Sequence, residues 1–197
     1  MTKIYFSLLC LLFASGVFAQ QTDYYEEPTA RETAQNELSA NAFNVLVFGA
    51  LDLGYERILS DHNSISVDLF TKLLNKNEGE DFDLSEAYAK DFSLTTRFKF
   101  FFNEDYSAWG FYAEGFAMLS SGENKKKVEL TDTEGETYTE ERYLDYTDFA
   151  IGVGAGYKYA AKQGFVIDLS FGLGRNLFHK DSPDLVILPA VNVGYRF

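Results

Sequence analysis

Cysteine is almost missing from this chain, because Cys10 is the only one among the 197 residues. Cys10 lies in an apolar N-terminal run, so the rest of the chain has no thiol. That part can form no disulfide, carry no cysteine nucleophile and build no cysteine-type zinc site. Histidine is also scarce, and His62 and His179 are expected at opposite ends of the fold, which argues against a shared metal site. No cofactor and no metal are therefore expected.

Positive charge is in short supply as well. The chain has 17 Lys and Arg against 30 Asp and Glu, for a formal net charge of −13 and an isoelectric point near 4.5. A nucleic-acid-binding domain needs a basic surface to meet the phosphate backbone. The charge therefore argues against nucleic acid as a partner.

Long apolar runs are absent after the N-terminus. The one run, residues 4–13, follows Lys3 and precedes Val17-Phe18-Ala19, a small-x-Ala cleavage site. This arrangement predicts a signal peptide over residues 1–19. An N-terminal anchor is the alternative, although the run is shorter than the ~20 residues that a spanning helix needs. The lack of a second run excludes a helical membrane protein.

The end of the chain shows the clearest pattern that is present. From residue 185 onward, apolar side chains recur at every second position and end in Tyr195 and Phe197, while the opposite face carries Ala190, Asn192, Gly194 and Arg196. Alternation with a period of two indicates a strand. An apolar face that ends in aromatics, opposed by a small and polar face, is typical of a barrel strand that faces lipid.

With its Tyr195-Arg196-Phe197 ending, the chain resembles the small eight-stranded outer-membrane β-barrel proteins of Gram-negative bacteria. The resemblance implies an all-β fold, an eight-stranded antiparallel transmembrane up-and-down β-barrel, in the cell outer membrane and in contact with its lipid. It also implies that Tyr195 and Phe197 form an assembly signal that the barrel-assembly machinery reads during insertion. It implies no biochemical activity.

Alternating segments elsewhere complete this pattern. Residues 38–47 and 51–59 are interpreted as two strands joined by a tight reversal at Phe48-Gly49-Ala50, although one long strand is the alternative. The other predicted strands are residues 64–72, 92–102, 109–120, 148–159, 164–178 and 185–197. The total is then eight, an even number, as single-chain barrels require.

The domain boundaries follow from these strands. Residues 20–37 lack apolar periodicity and are predicted to be a periplasmic N-terminal tail, or alternatively a tail that docks on a partner. Residues 38–197 are predicted to be the outer-membrane β-barrel. The short connections 60–63, 103–108 and 162–164 are expected in the periplasm, and the longer loops 73–91 and 121–147 outside.

Charged residues fall on the predicted inner face. The interior of an eight-stranded barrel is only wide enough for side chains, so these charges must pair or be hydrated. We interpret them as a salt-bridged plug, with a proton or ion path as the alternative. Hairpin geometry predicts Lys158 opposite Asp168 and Arg97 opposite Glu114. The predicted lumen charge network is Asp52, Glu56, Asp68, Arg97, Lys99, Glu114, Lys158, Asp168 and Arg196.

Inward glycines at 152, 154 and 156 could suggest a nucleotide loop, but they lie within a predicted strand. A face of small residues inside a narrow barrel is therefore the preferred interpretation.

The leading functional hypothesis is a non-catalytic barrel with a closed lumen and a structural or surface-interaction role. Loop 121–147 is expected to continue two strands as a hairpin whose edge can accept a protein partner. Two alternatives remain open. One is an accessory subunit of a larger envelope complex that uses its tail or its lipid face. The other is a lipid-modifying enzyme that uses His179 and Ser182 with Asp181 or Asp184.

Overall fold

A computed structural model describes residues 29–73, 90–103, 108–131, 137–178 and 181–197 of the chain. The predicted signal peptide and the tail up to residue 28 lie outside the described residues, as do most of loop 73–91 and His179. No helix in the described ranges is long and apolar enough to cross a bilayer.

The described chain is a closed barrel of eight strands. Each strand pairs antiparallel with the next, and the last returns to pair with the first, which confirms the predicted fold class. The elements in chain order are α1 (Ala30–Thr33), β1 (Asn36–Asn41), α2 (Ala42–Phe48), β2 (Ala50–Ile58), β3 (Asn63–Lys72), β4 (Lys90–Phe101), β5 (Gly110–Thr131), β6 (Thr137–Ala160), β7 (Phe165–Asn176) and β8 (Leu185–Arg196).

Side chains alternate between the two faces of the barrel wall, as the period-two pattern predicts. On β4, Leu94 and Phe98 are 41% and 49% exposed on the outer face, while Thr95 and Lys99 are buried inside. On β8, Val193 and Tyr195 face outward, and Arg196 is fully buried. The same arrangement recurs around the barrel, so the apolar face lies outside and the polar face inside.

The first predicted strand is wrong over its second half. β1 ends at Asn41, and residues 42–48 form the helix α2 rather than a strand and a tight reversal. Asn41 is the N-cap, and its side-chain oxygen accepts hydrogen bonds from the backbone N–H groups of Phe43 and Asn44. Gly49 ends the helix with a φ of 62°, a left-handed conformation that glycine adopts without steric cost.

The predicted boundary between tail and barrel also needs correction. β1 begins at Asn36, so Asn36 and Glu37 belong to the barrel and not to the tail. The backbones of Asn36 and Phe197 exchange two hydrogen bonds and so fix this end of β1 on the end of the chain. β2 begins at Ala50, so two separate strands do occupy this region.

The two ends of the barrel differ in their connections. At the turn end, where both chain ends of the barrel lie, the β6–β7 connection is a tight turn in which Gly164 has a φ of 97°. At the loop end, β5 and β6 pair with each other as far as Thr131 and Thr137, well past the last rungs of β4 and β7. They therefore form a hairpin that protrudes from the barrel, as predicted for loop 121–147.

Candidate functional site

The lumen contains a continuous line of ion pairs that begins at the end of β8. Arg196 donates from Nε to Glu37 Oε1 at 2.6 Å, and Lys158 Nζ lies 2.8 Å from Glu37 Oε2. The same ammonium group lies 2.5 Å from Glu56 Oε1. Arg196 and Lys158 are both 0% exposed, so each cation is fully withdrawn from solvent and is neutralised by carboxylates on β1 and β2.

The line continues through Lys99 on β4. Lys99 Nζ lies 2.9 Å from Glu56 Oε2 and 2.6 Å from Asp168 Oδ2. The phenol of Tyr112 donates to the second oxygen of Asp168 at 2.6 Å. Glu56 therefore joins two lysines with its two oxygens, and the line crosses the barrel from β2 to β7.

A second group of charges lies on β3, β4 and β5. Arg97 donates from Nε to Asp68 Oδ2 at 2.7 Å and from Nη1 to Glu114 Oε1 at 2.6 Å. Asp52, the remaining predicted lumen residue, accepts hydrogen bonds from Asn41 Nδ2 at 3.0 Å and Asn44 Nδ2 at 2.5 Å. All nine predicted lumen residues thus point inward and have polar partners.

The two predicted cross-strand pairs have different outcomes. Lys158 lies opposite Asp168 in the β6–β7 ladder, as predicted, but its ammonium bonds to Glu37 and Glu56 instead. Arg97 does bind Glu114, but the predicted register is wrong. Arg97 lies opposite Phe116, and Glu114 lies opposite Lys99.

Two members of the network are absent from the predicted set. The sequence pattern places Glu37 in the tail, although its position two residues before Ser39, on the inner face of β1, is a usable signal. Tyr112 is an aromatic residue on a strand that carries apolar residues on both faces, so its polar role had no sequence signal. Asp148 is a further inward acid outside the predicted set, and it accepts a hydrogen bond from Ser182 Oγ at 2.5 Å.

Bulky side chains of β5 fill the lumen where β6 has only glycine. Tyr112 lies opposite Gly156, Glu114 opposite Gly154 and Phe116 opposite Gly152. A Cβ on Gly156 would come within 2.5 Å of the Tyr112 ring, and one on Gly154 within 2.9 Å of Glu114 Oε1. The glycine series is therefore the small inner face that the sequence predicts.

Packed residues of the described chain lie at both ends of the lumen. At the turn end, Ala108 is buried beside Phe101 and Tyr112, and its carbonyl accepts a hydrogen bond from Arg196 Nη2 at 2.8 Å. At the loop end, the β7–β8 loop is tied down because Asn124 donates to the carbonyl of Asp181 and Asn176 to that of Pro183, at 2.8 and 2.7 Å. Two small cavities lie among the charges of the described residues, each with room for about one water molecule.

The described residues contain no group of three or more His, Cys, Asp or Glu side chains that could hold a metal ion. Of the residues considered for a lipid-modifying enzyme, Ser182 is buried against Asp148, and His179 lies outside the described residues.

The predicted assembly-signal residues lie on the outer face. Tyr195 and Phe197 are 47% and 51% exposed, and the Tyr195 ring packs edge to face against Phe165 with ring centroids 5.7 Å apart.

Tyr146 is the buried aromatic at the base of the protruding hairpin. It lies opposite Gly122, beyond the last outward apolar residue of β6, Phe149. Burial raises the pKa of the Tyr146 phenol to about 12.

Several solved structures are similar to the chain at low sequence identity. The N-terminal β-barrel domain of Pseudomonas aeruginosa OprF has a TM-score of 0.42 at 12% identity, over 83% of this chain and 98% of that one. Ail, the attachment invasion locus protein of Yersinia pestis, in complex with the heparin analogue sucrose octasulfate, has a TM-score of 0.41 at 15% identity, over 83% and 99%. The Yersinia pestis outer membrane protein Ail in a phospholipid bilayer nanodisc has a TM-score of 0.41 at 18% identity, over 83% and 99%.

No protein-family model matches the sequence, and no curated protein matches it. The fold assignment therefore depends on the strand register described above.

Proposed function

We propose that the chain is a Gram-negative outer-membrane β-barrel with a closed lumen, and that it has a structural or surface-interaction role rather than a catalytic one. One observation carries the proposal: the barrel is inverted, with apolar side chains exposed outside and ion pairs buried inside. A soluble barrel would hide the apolar face from water. The exposed side chains include Leu53, Val67, Phe98, Val153 and Leu169, each at least 43% exposed.

The height of the apolar face supports a bilayer location. On β6 the outward residues from Phe149 to Tyr159 span ten residue steps. At ~3.4 Å per residue and a strand tilt of about 40°, they cover about 26 Å along the barrel axis. The apolar band of outer-membrane barrels is about 25 Å tall, so the two heights agree.

The filled lumen supports a closed barrel rather than a pore. Arg97, Lys99, Lys158 and Arg196 cross the interior and are held by carboxylates at 2.5–2.7 Å. A conducting path would require several of these pairs to separate together, and each separation leaves an uncompensated buried charge. We expect no steady ion current through the folded protein.

The protruding hairpin supports a role in surface interaction. Beyond Gly122 on β5, and between Thr137 and Thr147 on β6, no described strand pairs with the outer edge of the hairpin. An exposed edge offers backbone donors and acceptors to an extended segment of another protein. The hairpin is therefore the proposed site for a protein partner.

The proposal includes two further partners, the barrel-assembly machinery during insertion and the lipid of the membrane. The exposed aromatic pair Tyr195 and Phe197 stands at the end of the closing strand, where the assembly machinery would read it, and membrane lipid contacts the outer face.

Location and orientation can be tested together by cysteine labelling on intact cells. In a Cys10→Ser background, Thr139→Cys places a thiol on the hairpin and Lys162→Cys places one in a turn at the opposite end, both at exposed positions. A membrane-impermeant maleimide should label Thr139→Cys on intact cells, and Lys162→Cys only after the envelope is opened. Equal labelling of both, or recovery of the protein in the soluble fraction, would contradict the proposal.

The closed lumen needs a separate measurement. The refolded protein in a planar bilayer should show no steady conductance, and it should migrate faster on a gel before boiling than after. A steady current from the fast-migrating form would show that the lumen is a pore.

Partner binding can be tested with photo-crosslinking residues placed on the hairpin in native membranes. At Thr139 we expect one discrete protein adduct, and at Lys162 no such adduct. Absence of an adduct at every hairpin position would refute the interaction site without affecting the membrane assignment.

A further inference from the structure

The barrel wall has a gap at the loop end, between β2 and β8. β1 pairs with β2 only as far as Ala40 opposite Leu53, and with β8 only as far as Asn41 opposite Asn192. β2 extends up to Ala50 and β8 up to Leu185. Within these fully described segments, both neighbours therefore continue past the end of the strand that joins them.

Two positions on the β8 edge of this gap, Val191 and Pro189, leave no backbone donor unmet. Val191 and Phe197 both direct their N–H groups toward β1, since Val191 donates to Asn41 Oδ1 at 3.2 Å and Phe197 to the carbonyl of Asn36. The alternation places the nitrogen of Pro189 on this same side, and proline has no N–H to leave unsatisfied. The free edge is thus adapted to the absence of a partner strand.

α2 fills the gap. It packs against both β8 and β2, and its two faces differ in polarity. Asn44 is 2% exposed and donates inward to Asp52, whereas Val45, Leu46 and Val47 are 45%, 73% and 41% exposed. The helix therefore presents amide groups to the lumen and apolar side chains to the outside.

The exposed side chains of α2 are continuous with the apolar outer face of the barrel. Leu51 and Leu53 flank the helix on β2 and are 37% and 46% exposed, and Val191 and Val193 flank it on β8 at 36% and 51%. Resting on the membrane location proposed above, we propose that α2 is a lipid-facing segment of the barrel wall whose Val45, Leu46 and Val47 contact acyl chains of the bilayer.

The backbone explains why a helix is suited to this place. Lipid provides no hydrogen bonds, so a lipid-facing segment must satisfy its own backbone groups. A helix meets this requirement because its backbone bonds within itself, and here Asn41 and Gly49 close its two ends. The helix also separates lipid from the small polar cavity behind it, which Asn41, Asn44, Asp52, Lys90 and Arg97 help to line.

Lipid contact can be measured with a fluorescent probe at Leu46. The full chain with Cys10→Ser and Leu46→Cys is labelled with bimane and folded into phosphatidylcholine–phosphatidylglycerol vesicles. Doxyl-labelled phosphatidylcholine quenches from within the bilayer, and iodide quenches from water. Leu53→Cys is the lipid-facing reference, Thr139→Cys is the aqueous reference, and Val45→Cys serves if Leu46→Cys fails to fold.

We expect the loss of fluorescence with doxyl lipid at position 46 to match that at position 53 and to exceed that at position 139, with the reverse order for iodide. Iodide quenching equal to that at position 139 would overturn the inference, because α2 would then face water. Protection from both quenchers that disappears at low protein-to-lipid ratio would also overturn it, in favour of contact with a second copy. If position 53 itself escapes doxyl quenching, the membrane proposal fails instead.

Discussion

Phe116 and Gly152 face each other across the β5–β6 ladder, with the phenyl ring lying directly over the glycine backbone. The same ring also covers Gly172 and Gly174 on β7, so three glycines on two strands form the surface against which the ring packs. Phe116 belongs to a buried cluster with Met118, Val186 and Leu188, so the ring is packed on several sides.

Gly152→Ala should therefore weaken the barrel. A Cβ at position 152 would overlap the Phe116 ring and the carbonyl of Leu173, and overpacking of this kind costs ~1–3 kcal/mol. Urea unfolding in lipid vesicles, followed by the fluorescence of Trp109, measures the loss. Gly115→Ala is the matched control, because nothing lies within 4 Å of a Cβ there. Equal midpoints for the two variants would contradict the role of the ring.

Arg97→Ala should lower stability by about 3–5 kcal/mol, because Asp68 and Glu114 would both lose the cation that compensates them. The free energy of unfolding is again the measurement. Lys72→Ala is the control, since the Lys72–Asp91 pair is 3.6 Å apart, partly exposed and expected to contribute less than ~1 kcal/mol.

Adding Glu114→Gln to Arg97→Ala should restore part of the loss, since it removes one of the two stranded charges. Strict additivity of the two substitutions would mean that Arg97 and Glu114 are not coupled. A direct charge swap of these two residues should recover less, because the new glutamate at position 97 would face Asp68.

Ala108→Gly should maintain or raise stability, an unusual result for a fully buried alanine. Ala108 has a φ of 46°, a left-handed conformation that costs a residue with a Cβ about 1–2 kcal/mol more than glycine. Relief of that cost should offset the greater chain entropy of glycine. Ala113→Gly, in the extended part of β5, should instead lose ~0.5–1 kcal/mol. A larger loss at position 108 than at position 113 would refute the assignment of strain.

Tyr146→Phe should change the response to alkaline pH. The Tyr146 pKa of about 12 exceeds the ordinary tyrosine pKa of about 10, so the folded form holds this proton more tightly than the unfolded chain does. The resulting stabilisation is present below pH ~10 and is lost as the pH rises toward 12. Between those values the stability of the wild type should fall more steeply than that of Tyr146→Phe, and parallel curves would show that this phenol is not responsible.

The wall of the barrel was largely predictable from the sequence, whereas the ion pairs inside it were predictable only in part. Alternation identifies the inner face of each strand because every second side chain points the same way. Ion pairs in a narrow lumen, however, can cross the barrel axis and join strands that are not neighbours. Lys158 on β6 reaches β1 and β2, so the strand neighbour Asp168 was a poor guide to its partner.

The helix α2 escaped prediction for a different reason. Residues 42–48 alternate well enough to resemble a strand, and seven residues are too few to show a helical period. The signals that decide the structure are the caps, Asn41 and Gly49, whose effect depends on backbone geometry and on the place of Asp52 behind the helix. The register of β4 and β5 likewise depends on a connection, around residues 102–109, whose path a residue count does not fix.

The seam between β1 and β8 sets an order of assembly. Glu37 and Arg196 are 159 positions apart in the chain, and bringing such distant segments together carries the largest entropic cost of any strand pairing in the barrel. Until β8 arrives, Glu37 lacks one of its two cations and β1 has an open edge. Closing the barrel therefore completes the backbone hydrogen bonds of β1 and the ion pairs of Glu37 in one step. A partly formed barrel lacks both.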